Sequence, residues 1–482
     1  MYPSSNIRRG VGLGVGACFV LLLLLGGVWA FSRLDLERRH FDPERLEKLA
    51  RVHVPPAVSQ SKTSDWPQWR GPNRDGLSPE TDLCKTWPTK GPPEVWRKSI
   101  GRGFSSVVVV GSRLYTTDEE TISAEGNNTS SEDTNISKES SSAASDEGVL
   151  CLNAVTGQQV WRFRSHVCYA ERFGSGPRST PTVDENRVYA IGATGLLYCL
   201  SADTGDLLWR HGLLGEFNGR PMRYGVAFSP LIEGDLIITT PGGPDGNAVV
   251  AFDKHTGDVI WKALGDPMGY SSPIAVTLAG VRQLLIFTNT ELVSLSPSDG
   301  RIHWRYPWET AGGFNIATPL SYGDCVFISS GYGKGCVLLE ITSEPDGSLT
   351  AHQVYEHNRM RNHFASSVRL GDYLYGFDQT DLVCMELRTG QVLWREKGFR
   401  SFGKGSLLIA DGQLIILGES GKLYLAEATA ARYHEKASFQ ISANKCWTAP
   451  IVAQGKLYIR TESQIICLDL RQAPIPIAVA GR

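Results

Sequence analysis

Leu196-Leu197-Tyr198-Cys199-Leu200-Ser201-Ala202-Asp203-Thr204-Gly205-Asp206-Leu207-Leu208-Trp209 decides the fold. It reads as an apolar strand, a tight reversal and a second apolar strand. Gly205 supplies the positive φ that such a turn needs. Trp209 follows four residues later. The same unit returns with Thr156-Gly157 and Trp161, with Thr256-Gly257 and Trp261, with Asp299-Gly300 and Trp304, and with Thr389-Gly390 and Trp394. A further copy near Asp346-Gly347 carries Tyr355 in the Trp place. A period of roughly 40–50 residues with several short strands per unit is the signature of propeller blades.

A second piece precedes each hairpin: a short strand, a turn and another apolar strand. It begins at Val107, Pro181, Pro230, Pro273, Pro319, Ser367, Leu407 and Pro450. Eight starts predict an all-β, eight-bladed β-propeller with four-stranded antiparallel blades, spanning 94–470. The last copy has no Trp strand after it. A matching strand, Glu94-Val95-Trp96-Arg97-Lys98-Ser99, stands before the first blade instead. Residues near 94–100 are therefore expected to complete blade 8, close the ring and remove a sheet edge.

The 482 residues are 41% hydrophobic, enough for a large core, and the repeats argue against several separate domains. A net charge of −2 gives no reason to expect a nucleic-acid partner. Of ten cysteines, Cys151, Cys199, Cys384 and Cys467 hold one strand position in different blades. Residues so placed are too far apart to form disulfides and read as small buried side chains. Cys84, Cys168, Cys325, Cys336 and Cys446 show no metal-ligand spacing.

Before the blades, residues 1–10 form a polar tail. Val11 to Phe31 is an uncharged, mostly apolar run long enough to span a bilayer. It reads as a transmembrane signal anchor, or as a cleaved signal peptide with Val28-Trp29-Ala30 at the cut. Under the anchor reading the propeller stands outside the cytoplasm, on the periplasmic side of a single-pass chain. Residues 32–64 form a stalk and linker, with a short stalk helix ended by Pro55-Pro56. Residues 65–93 open with Asp65-Trp66-Pro67-Gln68-Trp69-Arg70-Gly71-Pro72, a Trp- and Pro-rich strap expected to lie on the propeller surface with its indoles in grooves. Residues 119–147 are rich in Ser, Glu, Asp and Asn, and are expected to be a disordered insertion in the first blade. Residues 471–482 are a C-terminal tail.

Propellers place ligands at the mouth of the central channel, on loops that lead into the innermost strands. Counting back from each blade start gives a ring of Arg102, Arg178, Arg223, Tyr224, Tyr270, Asn315, Asn362, His363, Lys404, Lys445 and Trp447. Converging cations there would attract a carboxylate or phosphate group. The structural alternative is that these side chains only join neighbouring blades. No GxSxG elbow or HExxH pair points to a catalytic residue or metal site.

The unit Asp-x-x-Thr-Gly-x-x-x-Trp resembles the pyrroloquinoline-quinone (PQQ) repeat, shared by quinoprotein alcohol dehydrogenases and BamB-like propellers that assist outer-membrane protein assembly. The resemblance implies a structural girdle of Trp96, Trp161, Trp209, Trp261, Trp304 and Trp394 between blades. The opening 65–72 and the closing Cys446-Trp447-Thr448-Ala449-Pro450 look like membrane-anchored, planctomycete-type propellers. Quinoprotein dehydrogenases carry a vicinal Cys pair over the cofactor and carboxylates around calcium. This chain has no adjacent cysteines, and its predicted mouth is basic. The reading that follows is a non-enzymatic, BamB-like, monomeric scaffold for a protein or peptide partner, with no cofactor or metal. The alternative is a PQQ-dependent oxidoreductase with a divergent site.

Overall fold

The computed structural model describes residues 65–121, 145–167, 169, 171, 173–220 and 222–471. The expected anchor at 11–31, the stalk helix and the C-terminal tail from 472 lie outside the described residues. Among the described residues no helix is long and apolar enough to cross a membrane.

Eight sheets with four antiparallel blade strands each form a ring, and in seven of the blades those four strands lie in chain order. The innermost strands are β3 (Val108–Val110), β7 (Thr182–Asp184), β11 (Leu231–Glu233), β15 (Ile274–Leu278), β19 (Leu320–Tyr322), β23 (Val368–Leu370), β27 (Ser406–Ala410) and β31 (Ile451–Ala453). Each starts within two residues of its predicted position. The ring closes as the sequence implies. Strand β2 (Glu94–Ser99) pairs antiparallel with β33 (Gln464–Asp469), the third strand of blade 8.

The repeat motif acquires its physical reason in the seams between blades. Every outermost strand is bulged at one register, and Trp96, Trp161, Trp209 and Trp394 each sit opposite one of the four equivalent cysteines. The indoles leave their own blade. Trp161 Nε1 donates to Ala202 O at 2.9 Å, Trp209 to Lys254 O at 3.3 Å and Trp96 to Ala154 O at 3.1 Å, in each case in the next blade. There the indole lies on the glycine of the neighbour's Thr-Gly turn. A Cβ on Gly205 would meet Trp161 at 2.6 Å, and Gly205 has a φ of +79°. Glycine is thus required twice, by conformation and by contact. Tyr355 makes the equivalent seam bond in blade 5, to Leu387 O at 2.8 Å. Trp304 departs from the pattern and donates to Gln283 Oε1 of its own blade.

Two expectations are corrected. The insertion in blade 1 is shorter than 119–147, because β4 (Arg113–Thr121) and β5 (Ser145–Asn153) pair through Thr121 and Ser145. Composition suggested disorder there, but Glu119 and Glu147 face each other across this ladder and are buried, 3% and 2% exposed. Burial, reinforced by the Glu119 charge, raises the Glu147 pKa to about 7. Glu147 Oε2 accepts the Ala193 amide of blade 2 at 2.7 Å. Residues 122–144 lie outside the described residues.

The strap does not lie on the outer surface. It enters the central channel and binds the inner strands, or the residues leading into them, of seven blades. Trp66 bridges Val109 of β3, and Pro67 O accepts from Val183 N of β7. Arg74 donates to Ser229 O and Pro230 O, Trp69 Nε1 to Thr318 Oγ1, and Arg70 to Ser366 O and Ser367 O. Leu77–Ser78 (β1) then adds as a parallel fifth strand to β27, and Ser78 Oγ reaches Val452 O of β31. The channel presents a ring of inner-strand carbonyls that needs donors. Two buried guanidiniums supply them, and that burial pulls the Arg70 pKa down to about 10 and the Arg74 pKa to about 9.

Candidate functional site at the channel mouth

Because the strap fills the channel, the mouth is a blind cup of about 430 Å³ with Trp69 among its lining residues. Its wall is set by register. The residue three positions before each of the eight blade starts lines it: Phe104, Arg178, Ala227, Tyr270, Ile316, Phe364, Lys404 and Trp447. Below this layer, the residue just before each start carries a hydroxyl in seven blades: Ser106, Thr180, Ser229, Ser272, Thr318, Ser366 and Ser406. These hydroxyls stitch blade to blade. Thr180 Oγ1 accepts from Ser106 N, Ser229 Oγ from Thr180 N, Ser272 Oγ from Ser229 N and Ser366 Oγ from Thr318 N, all at 2.9–3.0 Å.

Of the ring expected from the sequence, Arg178, Tyr224, Tyr270, His363, Lys404 and Trp447 line the cup. Arg223 and Lys445 stand at its rim. Arg223 lies over the Phe173 and Tyr224 rings, and Lys445 lies 4.1 Å from the Trp447 ring centre while donating to Phe173 O. Arg102 does not line the cup and turns toward Glu119 at 3.8 Å. Asn315 and Asn362 are buried structural residues. Asn315 Nδ2 donates to Thr288 O and Trp308 O, and Asn362 Nδ2 to Ser367 Oγ. Asn315 ties blade 4 to blade 5, its Oδ1 accepting from Ser330 Oγ at 2.7 Å, whereas Asn362 serves its own blade 6, its Oδ1 accepting from Phe377 N.

The cup is more aromatic than the sequence ring suggested. Phe104, Phe173, Tyr332, Phe364 and Trp69 complete it, and none had been singled out as a mouth residue. Neighbouring rings run almost continuously around the mouth: Phe104–Trp447 at 5.2 Å, Phe364–Trp447 at 5.4 Å, Tyr332–His363 at 4.7 Å, Phe314–Tyr332 at 4.8 Å and Tyr270–Phe314 at 6.1 Å. The eightfold recurrence at the third residue before each start was the available signal. Tyr332 and Glu419 come instead from loops between the second and third strands, which that count does not visit.

Electrostatically the wall is positive. Lys404 Nζ lies 3.2 Å from His363 Nε2. Burial and then the Lys404 charge pull the His363 pKa down to about 4, so the imidazole is neutral at pH 7. Glu419 is the one carboxylate among the lining residues, and its oxygens accept from Trp447 Nε1 at 2.7 Å and Lys404 N at 3.1 Å. The cup can therefore hold an apolar or aromatic group and favour negative charge beside it.

A family model described as outer membrane protein assembly factor BamB matches residues 145–396. BamB of Shewanella oneidensis is 24% identical over 281 residues, 57% of each chain, and BamB of Yersinia pestis is 23% identical over 294 residues, 58% of this chain and 70% of that one. A tetrathionate hydrolase of Acidithiobacillus ferrooxidans is 24% identical over 197 residues, 37% of each chain. The chain thus spans between about a third and just over half of the length of the first two of these relatives by similarity, the hydrolase and the S. oneidensis protein. Among solved structures, BamB from Moraxella catarrhalis superposes with a TM-score of 0.52 at 13% identity, covering 80% of this chain and 99% of that one. The quinohemoprotein alcohol dehydrogenase ADHIIG from Pseudomonas putida gives 0.55 at 12%, covering 89% and 85%. At such identities these two structures show the shared fold alone.

The dehydrogenase likeness raises the question of a metal-bound quinone. The cup does not fit one. A calcium-bound quinone needs several oxygen ligands of carboxylate type. The lining offers Glu419 alone, already bonded to Trp447 and Lys404, and among the described residues no group of three or more His, Cys, Asp or Glu is placed to hold a metal. Family membership rests instead on the repeat, its ring closure and a matched span of more than half the chain: the protein belongs to the BamB-type family of PQQ-repeat β-propellers.

Proposed function

We propose that the protein is a membrane-tethered, non-enzymatic scaffold that presents its mouth face to a protein or peptide partner outside the cytoplasm. The observation that carries this reading is the blind cup itself, a rigid aromatic pocket edged by cations and closed from below by the chain's own strap. Its rigidity comes from the stitched hydroxyl layer and the indole seams, so a partner meets a preorganised surface. The family supports the role, and the apolar stretch at 11–31 supports the tether.

The test is site-directed photocrosslinking in the protein's own membranes. A benzophenone side chain in place of Tyr332, 39% exposed beside the cup, should trap one defined protein adduct. The same probe in place of Val155, 51% exposed on the turn between the third and fourth strands of blade 1 at the opposite face, should not. Equal labelling from both positions, or none from either, overturns the reading.

A quinoprotein-type oxidoreductase is the competing reading, suggested by the repeat, which resembles that of quinoprotein dehydrogenases. Equilibrium dialysis of the full chain against PQQ with Ca²⁺, followed by a dye-linked alcohol oxidation assay, separates the two. Saturable binding together with turnover would replace the scaffold by the enzyme.

A further inference from the structure

Four cations surround the cup, and each rests on a ring rather than on a carboxylate. The Arg178 guanidinium lies 5.5 Å from the Phe104 centroid, Arg223 5.6 Å from Phe173, Lys404 5.9 Å from Phe364 and Lys445 4.1 Å from Trp447. Among the described residues none of the four forms an ion pair with a carboxylate. Their polar partners are carbonyls, a phenol and an imidazole: Gly176 O, Gly174 O and Tyr169 OH for Arg178, Phe173 O for Lys445 and His363 Nε2 for Lys404. Stacked cations hold fixed positions while keeping their charge available. Glu419 is the single opposing charge in the lining.

A lone inorganic anion would leave the apolar walls wet. A lone aliphatic group would leave four cations unanswered. The volume of about 430 Å³ suits one large side chain with part of its backbone, and is far too small for a folded element. We infer that the cup takes one aromatic side chain from an extended segment of a partner protein, with Asp or Glu on both sides of it reaching Arg178, Arg223, Lys404 and Lys445. In an extended chain the residues two before and two after the aromatic share its face, which brings their carboxylates over the wall cations Arg178 and Lys404 and the rim cations Arg223 and Lys445. This deepens the scaffold reading and rests on it.

The experiment is fluorescence anisotropy with the full-length protein and three dye-labelled pentapeptides: Glu-Glu-Phe-Glu-Glu, Glu-Glu-Ala-Glu-Glu and Lys-Lys-Phe-Lys-Lys. The first should bind at least tenfold more tightly than either control, and its affinity should fall as salt rises. The fourfold variant Arg178→Gln, Arg223→Gln, Lys404→Gln, Lys445→Gln should weaken it at least tenfold and flatten the salt dependence. Ala227→Phe, which fills the cup without touching charge, should weaken it equally while its melting temperature stays near that of the parent. Equal binding of the alanine peptide overturns the aromatic assignment. Failure of the first peptide, with benzenetricarboxylate binding in its place, assigns the cup to a small aromatic acid and overturns the peptide. If no peptide binds while the Tyr332 crosslink persists, this inference falls and the scaffold stands. If both fail, both fall.

Discussion

At the rim of the disc Trp161 is followed by Arg162, whose guanidinium binds Asp118 and Glu120. At the mouth Lys445 lies over Trp447 and reaches a backbone carbonyl. The rim pattern repeats: Arg97 pairs with Glu94, Arg305 with Glu291 and Asp266, and Arg395 with Asp378 and Asp381. Both regions draw on cations and aromatic rings. At the rim the charge is neutralised within its own blade and the indole is spent on a seam. At the mouth charge and ring both remain available to something else. The same residue types, placed by one repeat, are structural in one place and a candidate site in the other, and what separates them is whether a carboxylate stands within reach.

The largest effect expected from breaking this contrast is at the rim. Trp161→Ala removes a buried indole from a seam where the neighbouring Gly205 cannot fill the space. Urea denaturation should show a loss of about 3–5 kcal/mol, with binding at the mouth unchanged. Next comes Arg162→Met. It strands Asp118, whose side chain is 1% exposed. Asp118 keeps the Gly101 amide but loses its direct cation partner, so a loss of about 3 kcal/mol is expected, and the added substitution Asp118→Asn should restore part of it.

Glu147 stands between the two regions, in the seam of blades 1 and 2. Its folded pKa of about 7 lies above the ordinary 4.5, so between these values the folded state binds more protons than the unfolded. Stability should therefore fall as pH rises from about 4.5 to about 7, by on the order of 3 kcal/mol. Glu147→Gln should flatten that slope in denaturation series run across the window. The smallest stability effect belongs to the mouth. The fourfold glutamine variant removes four positive charges and takes the net charge from −2 to −6. Because no ion pair is lost, its unfolding free energy in urea titration should change by less than about 1 kcal/mol. A loss as large as that of Trp161→Ala would mean that the mouth cations are structural after all.

How far the sequence could be read follows from the same contrast. Blade count, ring closure and girdle were legible because each depends on a local pattern, a Thr-Gly turn with Trp four residues on, repeated in register. The mouth was legible in part. Arg178, Tyr270, Lys404 and Trp447 obey the register, whereas Asn315 and Asn362 stand four and five positions before their blade starts and turn inward to satisfy backbone groups. Phe104 and Phe364 sat at the informative position but read as ordinary apolar residues. Trp69 was hidden for a different reason. A Pro- and Gly-rich segment carries no periodicity, so nothing local says whether it covers a surface or fills a channel. Only the carbonyls at Ser229, Pro230, Ser366 and Ser367, brought together by the closed ring, make a place for Arg70 and Arg74.

The strap also orders events in time. Residues 65–78 need the inner sides of seven blades, the first and the last among them, and Glu94–Ser99 needs β33, so both are made early and find their last partners only when the end of the final blade exists. A nascent chain can stack blades one after another, as neighbouring repeats allow. It cannot plug its channel or close its ring until residue 469 is available. Until then the inner carbonyls and the mouth are open to solvent from both ends, and the cup does not exist. The cup is thus a late product of folding, and a truncated chain would fail to present it even with every mouth residue in place.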